Sequence, residues 1–330
     1  MAKGLPRGEP KQPLTPGTTL VGTSGRAYIV QKLLQERLQP TASWVYLARG
    51  DETQRNYVLK NIYHTEFQYQ LDMQRPLRGR PNLRVAVDAI PEHLLFVYDY
   101  LVGDLLQLAA QDNLSTASRR RILRDALQGL ADLHDAGIIH TDIKPNNIFV
   151  DYVEAPDREI QVERVQLGDL EMGSILPKGL HVRGARLGNP MWRSPEAHAA
   201  ARQNFPSDVF AFGLVCIYTM LRIVVLRTDS ELDPKGRERE IVRRLLSTFG
   251  DREGLVGFVE NHLDADSQAF GELVLDVMRE FNATNPRTPF SMWAGVDEGF
   301  RDVVVKMTSL DPARRITARE ALAHPWFREM

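Results

Sequence analysis

Residues 140–148 constrain this chain more than any other segment, because they bring three different polar side chains within six positions of one another. These are the carboxylate of Asp142, the ammonium of Lys144 and the amide of Asn147. In phosphoryl transfer, a carboxylate orients the incoming hydroxyl, a cation offsets charge on the moving phosphoryl group, and an amide oxygen helps to hold magnesium. Each residue type alone is common in polar turns, but the three at this spacing predict a phosphoryl-transfer loop.

The composition indicates a large globular chain with no strong attraction to polyanions. Its 330 residues predict one large domain or two lobes, and 43% of them are hydrophobic, which is enough for a sizeable core. A formal net charge of −2 points neither to nucleic acid nor to an anionic membrane as a partner. Since the N-terminus has no apolar signal region, we expect an intracellular protein, cytoplasmic or nuclear. The sequence does not indicate an oligomeric state.

The hydrophobic pattern changes along the chain. Residues 1–19 are rich in Pro, Gly and Lys and predict a flexible leader. Short β-prone runs then predict an antiparallel sheet with one helix at 66–73, and the predicted strands are 28–30, 44–47, 57–60, 83–87 and 94–98. Beyond residue 101 the spacing of apolar residues is helical, and the predicted helices are 117–136, 207–221, 238–248, 267–281, 299–308 and 317–323.

Three motifs resemble those of eukaryotic protein kinases of the Ser/Thr type. Residues 140–148 resemble the catalytic loop H-R-D-x-K-x-x-N, with Thr141 in place of the usual arginine. Residues 188–196 resemble G-T-x-x-Y-x-A-P-E, and residues 317–327 resemble the closing T-A-x-E-A-L-x-H-P-W-F. The resemblance implies an α+β, bilobal protein-kinase-like fold. Its small N-lobe, a β-sheet with one helix, would cover residues 20–101, and its larger, mainly helical C-lobe would cover residues 102–330.

The resemblance also assigns structural roles in the larger lobe. It implies that Glu196 pairs with Arg315 and that Asp208 bonds the backbone of the catalytic loop. The apolar run at 209–226, although long enough to raise the question of a membrane span, is then a buried helix. Its Cys216, the single cysteine, excludes a disulfide within the chain and is expected to fill the core.

For the nucleotide, the resemblance implies that Lys60 bridges the α- and β-phosphates of ATP and pairs with a helix acid. Glu66 is the nearest acid and our candidate, although its spacing from Lys60 is shorter than in the family. Asp72 is another candidate for this acid, and Gln68 or Gln70 are alternatives for the position.

The adenine and the metal have their own expected contacts. The backbone groups of Asp99 and Leu101 would bond the base, with Tyr98 as the gatekeeper. Asp169, in a segment that resembles D-F-G, would hold Mg²⁺ together with Asn147, because this hard cation prefers oxygen donors. In that segment Glu171 replaces a glycine.

Two departures bear on activity. The family's glycine-rich loop, whose bare backbone amides approach phosphate closely, is matched by residues 34–43, which contain no glycine. Between Asp169 and Glu196 the only hydroxyl side chains are Ser174 and Ser194. With Thr141 replacing the phosphate-binding arginine, we expect an enzyme that activation-segment phosphorylation does not switch on.

The resulting hypothesis is an ATP- and Mg²⁺-dependent kinase that phosphorylates Ser/Thr hydroxyls of a protein substrate. The alternative is a catalytically impaired, kinase-like scaffold or binding protein, which the absent glycines favour. A small-molecule phosphotransferase is a third class, less consistent with the closing helices. The chain also looks like a group of kinase-like proteins from filamentous fungi.

Overall fold

The computed structural model describes residues 12–38, 42–155 and 159–328. The chain divides into two compact units. The N-terminal unit runs to Val102 and includes the short segment Gly168–Glu171. The C-terminal unit comprises Gly103–Leu167 and the chain from Met172 onward.

The N-terminal unit is built on a six-stranded antiparallel sheet with the strand order β1-β2-β3-β4-β6-β5. The strands are β1 (Thr19–Val21), β2 (Ala27–Arg37), β3 (Ser43–Gly50), β4 (Asn56–Asn61), β5 (Asp88–Ile90) and β6 (Leu95–Asp99). One helix, α1 (Phe67–Gln74), follows β4. Alternate residues of β3 are buried, Trp44, Tyr46 and Ala48 among them, so one face of the sheet forms a core.

Two expectations for this unit need correction. Within the predicted leader, residues 1–11 lie outside the described residues, but Leu14 packs against the sheet core and its backbone N–H donates to the Tyr46 hydroxyl at 3.0 Å. The strand predicted at 83–87 is wrong, and β5 begins at Asp88 instead. The Gln74 side-chain oxygen accepts a hydrogen bond from the backbone N–H of Ala86 at 2.9 Å, so this amide does not pair with a strand.

The C-terminal unit is mostly helical. Its helices are α2 (Leu105–Ala109), α3 (Thr116–Asp135), α4 (Pro195–His198), α5 (Phe205–Leu221), α6 (Pro234–Phe249), α7 (Arg252–His262), α8 (Gln268–Glu280), α9 (Glu298–Met307), α10 (Ala318–Leu322) and α11 (Pro325–Arg328). Its strands are β7 (Gly103–Asp104), β8 (Ile138–Ile139), β9 (Ile148–Glu154), β10 (Ile160–Leu167) and β11 (Ser174–Ile175). The predicted α+β architecture is therefore confirmed, whereas the helices α2, α4, α7 and α11 were not predicted.

Helices α3 and α5 support the loop at 140–148. The Ser115 hydroxyl caps α3 by accepting the Ser118 N–H at 3.2 Å. Helix α5 is buried over most of its length, including Cys216. Its polar N-terminal turn carries Asp208. Among the described residues, no helix combines the length and the apolar character needed to cross a bilayer.

Candidate active site

The carboxylate of Asp142, in the C-terminal unit, is held by three donors. Lys144 Nζ lies 2.5 Å from Asp142 Oδ2, and Asn147 Nδ2 lies 3.3 Å from the same oxygen. The backbone N–H of Asn189 donates to Oδ1 at 3.0 Å. Since the Asp142 side chain is still 12% exposed, it is oriented by the protein and remains reachable by a small hydroxyl group.

Asn147 is oriented by the same loop. Its Nδ2 also donates to the carbonyl oxygen of Asp142 at 2.8 Å. The amino side of the amide therefore faces the loop, and its oxygen is the part left to meet a cation. Asn147 sits in a single 3-10 turn, Pro145–Asn147, just before β9 begins.

Asp208 holds the loop's backbone, as the sequence predicted. Its carboxylate accepts the N–H groups of His140 and Thr141 at 2.8 and 2.9 Å, and it also lies 3.0 Å from the ring of His134. Thr141 has a positive φ of 67°, a conformation that costs a non-glycine residue about 1–3 kcal/mol. The hydrogen bonds to Asp208 offset this strain and fix the direction of Asp142.

A glycine is required at position 188, where residues 188–196 contact the loop at 140–148. Gly188 has a φ of 78°, and a Cβ there would lie 2.5 Å from the Thr141 carbonyl oxygen. A side chain at this position would push the segment outward, and the Asn189 N–H that orients Asp142 would move with it.

Thr141, which replaces the phosphate-binding arginine, and Ser174, a remaining hydroxyl side chain, both lie in structural contacts. The Thr141 hydroxyl donates to the Met172 carbonyl at 2.9 Å, which connects the loop at 140–148 to the chain that follows Glu171. Ser174 lies in β11, which pairs with β8. The position that binds an activating phosphate in many kinases is therefore used here for a neutral hydrogen bond.

In the N-terminal unit, Lys60 on β4 is paired with two carboxylates. Its Nζ forms an ion pair with Asp169 and lies 3.0 Å from Glu171 Oε2. The side chains of Lys60, Asp169 and Glu171 are 27%, 32% and 19% exposed, respectively, so the pair is partly enclosed but accessible. Asp169 has a φ of 63°, another positive value at a candidate functional residue.

The assignment of Glu66 as the helix acid is wrong. Glu66 is exposed at the N-terminal end of α1, and the acid that meets Lys60 is Glu171. Asp72 is exposed too and accepts from Gln68 at 2.9 Å. The buried member of the helix is Gln70, whose amide donates to the Glu171 carbonyl at 2.9 Å.

Glu171 and Lys60 influence each other's protonation. Burial alone would lower the pKa of Lys60, but the carboxylates of Glu171 and Asp169 outweigh it and raise that pKa above its ordinary value. Burial raises the pKa of the Glu171 carboxyl, against the opposing effect of Lys60. Tyr98 keeps its proton and donates to Glu171 Oε1 at 3.2 Å, since burial raises its pKa well above the ordinary value.

The backbone carbonyl of Asp99, a predicted adenine contact, is bonded to an arginine. Arg84 donates to it from Nη2 at 2.9 Å and from Nε at 3.3 Å. The Arg84 guanidinium also lies over the Tyr98 ring, 5.1 Å from its centroid. Leu101, the other predicted contact, is buried. An adenine amino group at Asp99 would therefore share or displace the hydrogen bonds from Arg84.

Sequence reasoning missed two functional candidates, Arg84 and Glu171. Both carried a signal: Arg84 is a charged residue in an otherwise apolar run, and Glu171 is an acid where the family has glycine. Neither signal names the contact that each residue makes. The predicted residues do fall into two groups, with Asp142, Lys144 and Asn147 together in one unit and Lys60 with Asp169 in the other.

The predicted pair between Glu196 and Arg315 is confirmed. The two ion-pair distances are 2.6 and 2.9 Å, and the side chains are 1% and 0% exposed. The hydroxyl of Ser207 donates to Glu196 at 2.6 Å, and the nearby Phe210 ring lies 4.9 Å from the guanidinium carbon. This pair is enclosed and supports α4 and α5 rather than a ligand.

The donor set suits magnesium better than a tightly bound transition metal. Within the part of the chain that the structure describes, no three His, Cys, Asp or Glu side chains cluster as a metal site. Magnesium is usually held by one or two protein oxygens plus phosphate and water. Asp169 in the N-terminal unit carries a carboxylate, and Asn147 in the C-terminal unit carries an amide oxygen, and each is a donor of the type that magnesium accepts.

Comparisons with known proteins agree with these motifs. A family model described as protein kinase domain matches residues 41–327. Calcium/calmodulin-dependent protein kinase cmkB of Emericella nidulans is 22% identical over 253 residues, which are 75% of this chain and 51% of that protein. Myosin light chain kinase A of Dictyostelium discoideum is 21% identical over 298 residues, 87% of this chain and 84% of that protein.

A third relative is the serine/threonine-protein kinase ssn3 of Emericella nidulans, 27% identical over 265 residues, 71% of this chain and 59% of that protein. The chain thus spans 51% of the length of the first relative and 59% of the third. Since the family model covers nearly the whole described chain, this chain belongs to the protein kinase family.

Proposed function

We propose that this chain transfers the γ-phosphoryl group of ATP, with Mg²⁺, to serine or threonine hydroxyls of a protein substrate. The observation that carries the proposal is the Asp142 carboxylate, which three donors orient while it stays 12% exposed.

Each residue has a task in this reaction. Asp142 orients the substrate hydroxyl and accepts its proton, and Lys144 offsets charge on the transferred group. Lys60 binds the α- and β-phosphates. Asp169 and Asn147 would hold the metal, and bound Mg²⁺ would neutralise charge on the phosphate oxygens. The backbone of Asp99 and Leu101 would contact the adenine, and residues 20–101 and 102–330 would act as the two lobes.

Lys144 supports Ser/Thr specificity. It lies two residues after Asp142, which is the arrangement of the Ser/Thr subgroup, and one relative carries that activity in its name. A protein substrate is favoured by residues 188–196, because in the family this segment helps to form the platform for one.

A kinase-like binding protein is the second candidate. Two observations favour it: the guanidinium of Arg84 donates hydrogen bonds to the Asp99 carbonyl, and residues 34–43 contain no glycine. Of that segment, residues 39–41 lie outside the described residues. Both features would weaken nucleotide binding without removing the polar loop.

Turnover of γ-labelled ATP with Mg²⁺ tests the proposal, with casein and histone as general acceptor proteins. The matched control is Asp142→Asn, which keeps the shape of the side chain but removes its charge. We expect this change to reduce turnover by about 10²–10⁴-fold, the usual contribution of a general base. Equal phosphorylation by both proteins would exclude catalysis by this loop.

A thermal-shift titration separates the two candidates. ATP at about 100 times its dissociation constant should stabilise the protein by about 2.7 kcal/mol. A shift with MgATP but no labelled product would favour the binding protein. A shift together with product that depends on Asp142 would favour the kinase.

A further inference from the structure

We propose that Glu171 is the positioning residue for Lys60 and performs from the Gly168–Glu171 segment the task that related kinases assign to a glutamate on a helix. This inference rests on the proposed function, because it assumes that Lys60 binds nucleotide phosphate. It concerns how the chain prepares that lysine.

The contacts of Lys60 carry the inference. Its long, flexible side chain ends between two carboxylates, Asp169 and Glu171, and the distance from Nζ to Glu171 Oε2 is 3.0 Å. In the proposed function Asp169 also has to hold a metal ion. Glu171 is then the carboxylate that can stay on Lys60 when Asp169 turns to the metal, so Glu171 keeps the ammonium in place for phosphate.

Glu171 is itself held at both ends. The Tyr98 hydroxyl donates to its Oε1 at 3.2 Å, and the Gln70 amide donates to its backbone carbonyl at 2.9 Å. These two bonds come from β6 and α1, two separate elements that both follow Lys60 in the chain. A carboxylate anchored in this way can orient another side chain, since its own conformations are restricted.

Helix α1 offers no carboxylate on the face that meets this cluster. Its acids Glu66 and Asp72 are exposed, whereas Gln70 and Gln74 are buried. The helix therefore contributes neutral amides, and the ion pair joins β4 to the Gly168–Glu171 segment. A displacement of α1 would break a hydrogen bond to Glu171 but would not remove the charge that Lys60 requires.

Charge in the cluster also favours an acid at position 171. Lys60 pairs with Asp169 and Glu171, and Glu171 also interacts electrostatically with the nearby guanidinium of Arg84. With glycine at position 171, as in the family's pattern, Lys60 would keep one of these two carboxylate partners.

A double-mutant cycle tests the inference. It compares the wild type, Glu171→Gln, Lys60→Met and the double variant for kcat/KM with respect to ATP and for MgATP affinity. We expect Glu171→Gln to lower kcat/KM by about 100-fold, the effect of misplacing a catalytic contact. In the Lys60→Met background the same change should have almost no further effect, because Glu171 acts through Lys60.

A rescue variant separates positioning from folding. Glu171→Gly should lose activity, and adding Gln70→Glu should restore part of it, because the acid then returns to the helix. Glu52→Gln, an exposed glutamate of the same unit, controls for the loss of a negative charge.

The outcomes are distinguishable. An active wild type with an equally active Glu171→Gln, or losses that multiply independently in the double variant, would overturn the role of Glu171 alone. A wild type that neither binds MgATP nor turns it over would overturn the proposed function, and the role of Glu171 with it.

Discussion

Two ion pairs, one in each unit, differ in how far their charged side chains are exposed to solvent. In the C-terminal unit, Arg315 and Glu196 are 0% and 1% exposed and meet through two short contacts. In the N-terminal unit, Lys60 and Glu171 are 27% and 19% exposed, and Asp169 shares the lysine. The first pair is sealed, whereas the second remains open to a ligand.

The difference follows from what surrounds each charge. Arg315 also donates to the carbonyl groups of Pro206, Ser309 and Leu310, so no donor is left for anything else. A buried pair of this kind stabilises because breaking it would strand a charge. Lys60 is paired with two carboxylates but keeps part of its surface exposed, as the proposed function requires of a group that exchanges one partner for phosphate.

Glu196→Gln should cause the largest loss of stability. The change leaves the Arg315 guanidinium buried without a full counter-charge, and such a loss typically costs about 3–5 kcal/mol. Urea unfolding followed by far-UV circular dichroism would measure it. The control is Glu253→Gln, which breaks the pair with Arg314; there Glu253 is 71% exposed, and about 0–1 kcal/mol is expected. Similar costs at both positions would remove the distinction between sealed and open pairs.

Arg84→Leu should increase the affinity for adenosine by about tenfold, equivalent to about 1.4 kcal/mol. The Asp99 carbonyl would then be available to the adenine amino group without competition from the guanidinium. Adenosine, rather than ATP, is the appropriate probe because it carries no phosphate that would sense the change in charge. Isothermal titration would measure the affinity, with the exposed Arg78→Leu as the control. Unchanged or weaker binding would show that Arg84 does not compete with the base.

Ser174→Ala should have the smallest effect. It removes the hydroxyl available for phosphorylation between Asp169 and Glu196 outside the Ser194 cap, yet Thr141 is already tied to Met172 by a neutral hydrogen bond. We expect unchanged turnover and a stability change within about 0.5 kcal/mol, as for most surface substitutions. A folded but inactive Ser174→Ala protein would contradict this expectation and would indicate that phosphorylation of Ser174 activates the enzyme.

The predictability of the site differed between its two halves. Asp142, Lys144 and Asn147 were identified from spacing alone, because a short loop leaves little freedom in which side chains can meet. Glu196, Asp208 and Arg315 were also assigned correctly, since each lies in a motif whose partner lies in another recognisable motif. The predicted strand at 83–87 was wrong because Gln74 takes a backbone amide that a strand would have used.

The acid for Lys60 was assigned to Glu66 because that residue is near in sequence. Its actual partners lie more than 100 residues further along the chain. No local sequence pattern predicts that the Gly168–Glu171 segment belongs to the N-terminal unit. A glutamate in place of the family's glycine marks a departure but does not identify Lys60 as its partner.

The resemblance of three short motifs to those of a known family was sufficient for the kinase family and the α+β architecture. The polar loop around Asp142 could be predicted from spacing, because its residues lie a few positions apart. Only the tertiary structure showed that Glu171 pairs with Lys60 and that Arg84 donates to the Asp99 carbonyl. Both are contacts between residues brought together by the sheet and its neighbouring segments, and their geometry depends on packing that no short stretch of sequence encodes.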